Sequence, residues 1–380
     1  MNLGTALFRE ILPAITKPSR YLGTEFNSVH KKPADVDLRV ALVFPDLYDL
    51  GLGNLGIHIL YAILNRLPWC WAERACAPAP DMEDALRSRQ LPLFTLESKD
   101  SLDQMDMIGI SLQSELTYTN VLNVIDMANV PLRSVDRNDT HPLIFAGGPA
   151  ATNPEPLAPF MDFCVIGDGE EVILEIAESA RATKGRARAE RLNAMAAISG
   201  VYVPAMLPMA PLPNGRVVPA QDAPKIVRRV VEKLDTALFP EAYPVPYAQL
   251  VHDRVGLEVL RGCTHGCRFC QAGMVNRPVR ARSAEQIEMT MQRTLDKTGY
   301  EEISLLSLST CDYPGIHHLL ARCAEHAQVA NAAVSLPSLR LDTFSVELAD
   351  AITGVRRSGL TFAPEAATPR LRRVINKNYE

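Results

Sequence analysis

The sequence predicts an α/β protein made of two successive units: a doubly wound parallel sheet, then a partial TIM-like (β/α) barrel. Three observations predict it. Between residues 38 and 182, short apolar runs alternate with helical patterns, as in parallel sheets covered on both faces. From residue 255 the strand-helix alternation resumes, with polar or glycine-rich residues after each strand, as at the top of a barrel. Between these stretches, prolines at 204, 208, 211, 213, 219, 224, 240, 244 and 246 break the rhythm, because proline removes a backbone donor and blocks helix.

Composition sets outer limits. At 380 residues the chain is long for one domain, and with 47% hydrophobic and 22% charged residues it is not globally disordered. A net charge of -5 argues against a protein that coats nucleic acid, although local basic contacts stay open. No apolar run approaches the roughly 18–20 residues needed to span a bilayer, and Met1–Glu10 lacks the pattern of a secretory signal. A cytoplasmic protein without membrane contact is expected. Eight cysteines, three of them clustered, suit reduced thiols serving a metal better than a disulfide framework. Cys70, Cys76, Cys164, Cys311 and Cys323 are scattered, and each reads as a small buried apolar residue. Cys311, near the end of a predicted barrel strand, is also a candidate neighbour of the clustered thiols.

Residues 1–37 read as an amphipathic helix, Leu3 to Ile15, and a polar arm. In the first unit, residues 38–182, strands are expected at 39–44, 70–75, 107–111, 143–146 and 163–166, with helices at 57–67, 81–89, 117–128 and 170–182. A ligand crevice belongs at the carboxyl ends of such strands. Asn54, Ser111-Leu112-Gln113, Gly147-Gly148-Pro149 and Gly167-Asp168-Gly169-Glu170 collect there. Residues 183–254 read as a linker with short strands at 201–203 and 225–233. The basic run Lys184–Arg188 and the alternating Lys225–Lys233 are read as solvated faces before nucleic-acid contacts. From 255 to 380, strands are expected at 256–260, 302–307, 333–336 and 360–363. Helices are expected at 283–298, with Ser283 as N-cap, and at 315–329 and 345–353.

Directly after the first barrel strand, Cys263, Cys267 and Cys270 stand at Cys-x3-Cys-x2-Cys spacing. Thiolates are soft ligands for iron-sulfur clusters, and a cubane with three protein thiols leaves one iron open. Gly262 and Gly266 let the loop turn tightly. Arg261, Arg268, Arg277, Arg280 and Arg282 surround it with positive charge, which favours thiolate. The alternative is a zinc site, which usually takes four ligands or Cys-x2-Cys pairs; only His265 lies inside the loop.

This loop, with Phe269 just before the last cysteine, resembles the radical S-adenosylmethionine superfamily. The second and fourth strand segments, Ser304–Tyr313 and Thr361–Lys377, resemble the subgroup with an N-terminal cobalamin-binding-type domain. Ala146–Thr152 and Ile166–Glu171 resemble segments of that domain. The resemblance implies that Cys263, Cys267 and Cys270 bind a [4Fe-4S] cluster whose open iron takes S-adenosylmethionine. Reductive cleavage would then give a 5'-deoxyadenosyl radical that abstracts hydrogen from a substrate. It further implies that Phe269 presents its backbone to the adenine and that Ser307, Ser309 and Thr310 face the methionine amino group. Glu365 and Arg370 would lie near cofactor or substrate, with Arg340 as a further grip for a carboxylate. The implied partners are a flavodoxin- or ferredoxin-type reductant and a substrate of unassigned class.

Two departures accompany the resemblance. The Asp-x-His-x-x-Gly motif of some cobalamin proteins is absent after the first strand; His58 is the nearest histidine and has no Asp two positions before it. Cobalamin binding and a structural or substrate-docking role stand as alternatives for the first unit. The sequence also covers only about four of the six or more βα units of the family barrel, so a chain truncated within the radical domain, with doubtful activity of its own, is expected. The rival readings are a non-catalytic iron-sulfur or cobalamin carrier and a relative of the tRNA-modifying methylthiotransferases. The latter is weakened because Cys70, Cys76 and Cys164 do not follow that class's separated three-cysteine pattern.

Overall fold

The computed structural model describes residues 3–337, 339 and 362–377. The chain divides into two compact units, Met1–Val231 with Pro244–Leu250, and Glu232–Tyr243 with Val251–Glu380.

Five parallel strands form the first sheet: β1 (Leu38–Phe44), β2 (Cys70–Cys76), β3 (Met107–Ser111), β4 (Leu143–Gly147) and β5 (Phe163–Val165). Their order, β2-β1-β3-β4-β5, puts β1 between β2 and β3. That explains why β1 reads as an unbroken apolar run: it is hydrogen-bonded on both edges and covered on both faces. Helices Leu55–Asn65, Pro80–Ser88, Tyr118–Met127 and Val172–Ala182 match the expected ones to within two residues at each end. A sixth strand, β6 (Val201–Tyr202), joins the edge antiparallel to β5.

The stretch read as a linker holds more structure than its prolines suggest. Arg188–Ala196 is a helix rich in alanine, a good helix former. Met209–Pro211 (β7) and Val217–Pro219 (β8) form a hairpin. Residues 225–233 do not form the expected strand; only Arg229 makes a ladder contact, with Gly167. A strand there would need a longer free sheet edge than β5, three residues long, leaves beyond β6. At the N-terminus, a helical stretch over 3–14 buries Leu7, Ile11 and Leu12 in the same core as Ala41 and Val43 of β1.

The core of this unit contains a buried charge network. Arg74 on β2 is 2% exposed and pairs with Glu97 at 2.6 Å and Glu25 at 2.8 Å. Tyr48 donates its hydroxyl hydrogen to the other oxygen of Glu25 at 2.8 Å. The guanidinium also lies over the Tyr61 ring. Glu25 belongs to the N-terminal arm, so this network fastens the arm to the sheet.

The second unit has a parallel sheet of β9 (Val255–Glu258), β12 (Glu302–Leu306) and β13 (Ala333–Ser335) in the order β13-β12-β9. A separate antiparallel ladder joins β10 (Leu260–Arg261) to β11 (Arg280–Ala281). The expected strand 256–260 is therefore broken at Val259. Helices Ala284–Thr298 and Ile316–Val329 follow β11 and β12. Ser283 caps the first as expected, its hydroxyl accepting from the Gln286 amide at 3.3 Å, and Gly299 ends it in the left-handed conformation. A bridge pairs Leu339 with Phe362 in parallel. This is part of a TIM-like barrel. Arg340, the helix expected at 345–353 and the first residues of the fourth strand lie outside the described residues. Among the described residues, no helix is long and apolar enough to cross a membrane.

Replacing Arg74 with Met leaves two buried carboxylates without their cation, and removing one partner of a buried pair costs about 3–5 kcal/mol. Arg74→Met is expected to lower the urea-unfolding free energy by that amount. A loss under about 1 kcal/mol, the scale of an exposed pair, would contradict the network's role.

Candidate functional site

Val259 sets the geometry of the cysteine loop. Its N–H donates to the Leu306 carbonyl at 3.0 Å, and its carbonyl accepts from the Arg282 N–H at 3.0 Å. One residue thus binds β12 on one side and the returning end of the loop on the other. The β10-β11 ladder, Leu260 opposite Ala281 and Arg261 opposite Arg280, closes the loop at its base. Gly262 turns the chain out of the ladder at φ +93°, where a Cβ would lie 2.7 Å from the Asn276 carbonyl oxygen and 2.8 Å from that of Pro278. Cys263, Cys267 and Cys270 follow, all half-buried and none in a disulfide. The Cys270 amide donates to the Cys267 carbonyl at 3.0 Å, and the Gly273 amide points at the Cys270 sulfur at 3.3 Å.

The turn after β12 collects the predicted hydroxyls. Ser307 and Thr310 share a hydrogen bond of 2.8 Å, and the Ser309 amide donates to Ser307 Oγ at 3.1 Å. Ser309 and Thr310 are buried, and Ser309 Oγ has no hydrogen-bond partner among the described residues. The same turn carries a residue to which sequence reasoning gave no role. Asp312 Oδ2 lies 2.6 Å from His265 Nε2, joining this turn to the cysteine loop. Cys311 beside it is buried.

Cys263, His265 and Asp312 offer donor atoms that all lie within 4.8 Å of one another. From the sequence His265 is the one further zinc-type residue inside the loop, too close to the cysteines to complete a site easily; Asp312, 47 residues away, is brought against it by the fold. Cys267 and Cys270 are not in this close group. A single ion gathers its ligands around one point, whereas a cubane puts each thiolate on a different iron, so wider thiol spacing suits a cluster.

The remaining predicted residues are spread more widely. Phe269 is 54% exposed. Glu365 follows Phe362 in a left-handed backbone conformation (φ +64°), and its Oε1 accepts from Lys377 at 3.3 Å. Arg370 is exposed on the helix Pro369–Val374, capped by Thr368.

The arginines around the loop are structural ties as much as a positive field. Arg261 grips Glu258 with two bonds of 2.8 Å. Arg280, buried, donates to the carbonyls of Pro278 and Asn276. Arg282, also buried, donates to the Leu234 carbonyl and lies over the Phe239 ring. Much of the charge expected to favour thiolate is thus spent on carboxylate and carbonyl partners.

In the first unit, the residues gathered at the strand ends have internal duties. Asn54 caps its helix, accepting from the Ile57 amide at 3.0 Å. Gly148 (φ +104°) lets the chain approach Leu112, whose carbonyl oxygen would lie 2.6 Å from a Cβ. Gly167 and Asp168 receive the segment around Arg229: Arg229 O accepts from the Asp168 amide at 3.0 Å, and Asp168 Oδ2 accepts from the Val231 amide at 2.8 Å. The basic runs are also paired, Lys184 with Asp106, Arg188 with Asp162, and Arg229 with Glu175.

His58 is buried in this unit, and burial, helped by the Arg74 charge, pushes its imidazole down to about 3. It is an interior residue rather than one presented to a crevice. Burial pushes the thiols of Cys70, Cys76 and Cys164 up to about 12. Cys70 and Cys76 are the two ends of β2, roughly 20 Å apart at strand rise, so they cannot share a cluster.

Comparison with known proteins finds matches to both units. Residues 56–204 match the family described as radical SAM proteins, N-terminal, and residues 257–380 match the radical SAM superfamily. An uncharacterised protein of Methanocaldococcus jannaschii is 24% identical over 342 residues, 89% of this chain and 63% of that protein. Among solved structures, the radical S-adenosylmethionine methyltransferase TsrM from Kitasatospora setae, with tryptophan and a SAM analogue bound, has a TM-score of 0.56 at 14% identity, over 88% of this chain and 60% of that one. The cobalamin-dependent radical enzyme OxsB, with aqua-cobalamin and S-adenosylmethionine bound, has a TM-score of 0.56 at 13% identity, over 90% of this chain and 46% of that one. The chain thus spans about two thirds or less of the length of these relatives.

The buried state of His58 gives a pH dependence. Between about 6.5 and 3 the unfolded chain holds a proton on this imidazole and the folded chain does not, so stability falls as pH falls through that window. Between pH 7 and pH 5, wild type is expected to lose about 2 kcal/mol more than His58→Gln. Urea unfolding of both at the two pH values checks this, and equal losses would show that His58 is not held neutral.

Proposed function

The chain belongs to the radical S-adenosylmethionine superfamily, and on that premise we propose that it is a radical S-adenosylmethionine enzyme whose Cys263, Cys267 and Cys270 hold a [4Fe-4S] cluster. The observation that carries this reading is the loop itself: three half-buried thiols in one closed excursion at the end of a parallel strand, tied through His265 and Asp312 to a hydroxyl-rich turn. Bound there, such a cluster supplies the electron that cleaves S-adenosylmethionine to methionine and a 5'-deoxyadenosyl radical, which takes hydrogen from substrate.

The chain's own residues supply the frame. Ser309, whose buried hydroxyl has no partner among the described residues, is the best-suited acceptor for the cofactor's amino group. Ser307 and Thr310 fix that turn by bonding each other. Glu365 and Arg370 offer one charge of each sign to the cofactor or substrate, and Phe269 offers its backbone. A flavodoxin- or ferredoxin-type protein is the reductant in this reading, and the substrate class is left unassigned. Residues 38–182 are read as the cobalamin-type unit and 255–380 as the radical unit, with 1–37 as an arm and 183–254 as the connection. Cobalamin in the first unit is held without His58 as a cobalt ligand, because that imidazole is interior.

A second reading has one specific observation in its favour. Cys263, His265 and Asp312 are of the residue types that bind zinc, and their donor atoms lie close together. Under it the loop holds a single ion in a non-catalytic protein. Anaerobic reconstitution separates the two. The cluster reading expects about four irons and four sulfides per chain, lost in Cys267→Ala and in Cys270→Ala. It also expects 5'-deoxyadenosine after dithionite and S-adenosylmethionine are added to wild type but not to Cys267→Ala. One zinc per chain, lost in Asp312→Ala and kept in Cys270→Ala, would replace the cluster with the single ion.

A further inference from the structure

The dipeptide Asn376-Lys377 has no role in the reading above, yet its two side chains reach both halves of the proposed site. Asn376 sits just beyond the helix Pro369–Val374 with φ +59°, a left-handed conformation that asparagine tolerates better than most residues. Its Nδ2 donates to the carbonyls of His265 and Gly266, each at 3.0 Å. An amide NH2 has two donors, enough for both. The neighbouring backbone continues the contact: the Arg268 N–H donates to the Ile375 carbonyl at 3.0 Å, and Arg268 Nη1 donates to the Val374 carbonyl. Cys267 is therefore bracketed, with residues 265 and 266 before it and 268 after it all bonded to one turn.

The next residue faces the other way. Lys377 is 7% exposed and donates to the Ala363 carbonyl and to Glu365 Oε1. Burying an ammonium is costly unless it is paired and hydrogen-bonded. The pairing holds the carboxylate of Glu365, whose backbone is itself in the left-handed region. One turn therefore contacts the cysteine loop through backbone carbonyls and the end of the fourth strand through a carboxylate.

We propose that Asn376 and Lys377 are positioning residues that hold the cysteine loop and Glu365 in a single frame, Asn376 setting the place of Cys267 and Lys377 that of Glu365. The proposal rests on the cluster reading for its functional meaning. Its geometry is testable on the apo chain.

The test uses Asn376→Gly, which tolerates the left-handed turn and removes the side chain with its amide, and Asn376→Asp, which sets an oxygen against two carbonyls. In the apo chain, alkylation of Cys267 followed by peptide mass spectrometry is expected to be roughly tenfold faster in both variants, on the scale of one or two lost hydrogen bonds. Alkylation of buried Cys323 should stay unchanged and so control for folding. After reconstitution, both variants are expected to lose iron to a chelator roughly tenfold faster, with an altered electron paramagnetic resonance spectrum of the reduced cluster. Lys377→Met is expected to keep the cluster and its spectrum while raising the KM for S-adenosylmethionine more than it lowers kcat. If wild type assembles a cluster and Asn376→Gly matches it in labelling, retention and spectrum, the positioning role is overturned and the cluster reading stands. If wild type assembles no cluster and Cys267 labelling is the same in all chains, both fall.

Discussion

The site depends on one constraint: at Val259 the chain must serve two partners at once. Its amide completes the parallel pairing with β12, and its carbonyl receives the returning strand at Arg282. A continuous strand through 260 would carry the cysteines past the end of the sheet with nothing to close the loop behind them. The break lets β10 turn away and pair with β11, so that an excursion of 18 residues, 262–279, begins and ends at one point. Glu258 reinforces that point. It takes two bonds from Arg261 and lies 3.8 Å from Arg282, whose guanidinium rests over Phe239. Charge-assisted bidentate pairs fix direction as well as adding energy. The base of the loop is accordingly its most determined part.

In the first unit, the same residue types are used for internal ends. Arg74 takes two carboxylates inside the core, and Arg188 draws the carbonyls of Asn138, His141 and Pro142 onto Asp162. A run such as Lys184–Arg188 looks like a surface for a polyanion when its partners are unknown. Once Asp106 and Asp162 are seen opposite it, the charge is largely accounted for. The glycines behave alike. Gly148 and Gly167 are required because neighbouring backbone comes within a Cβ's reach, which is enough to explain them before any ligand is invoked.

These cases mark what the sequence could disclose. Strands β1 to β5 were legible because burial on both faces forces continuous apolar runs, and the Ser283 cap because it is a local hydrogen bond with a local signature. The thiol spacing was legible because all three cysteines lie within eight residues. The break at Val259 was not, because Val-Leu continues an apolar run and the bond that ends it comes from Arg282. The helix Arg188–Ala196 was masked by the prolines that follow it. His265 gains its meaning from Asp312 and Asn376 from residues about 110 positions away, and no periodicity encodes such pairings.

The way the loop is anchored follows from what it must leave free. On the cluster reading three of its side chains serve as ligands, and many of the bonds that hold the loop act on its backbone. Arg280 binds the carbonyls of Asn276 and Pro278, Asn376 those of His265 and Gly266, and Ile375 accepts from the Arg268 amide. Side chains with several N–H donors and no acceptor in play suit this work, because a carbonyl-lined loop offers acceptors. The consequence is an asymmetry of tolerance. Within the loop, Gln271 contributes its backbone carbonyl, which accepts from the Met274 and Val275 amides and which another residue would supply as well. Outside it, Arg280 and Asn376 act through side-chain donors that few substitutes reproduce. The place of the loop backbone between the cysteines thus depends on contacts made by residues that lie outside it in sequence.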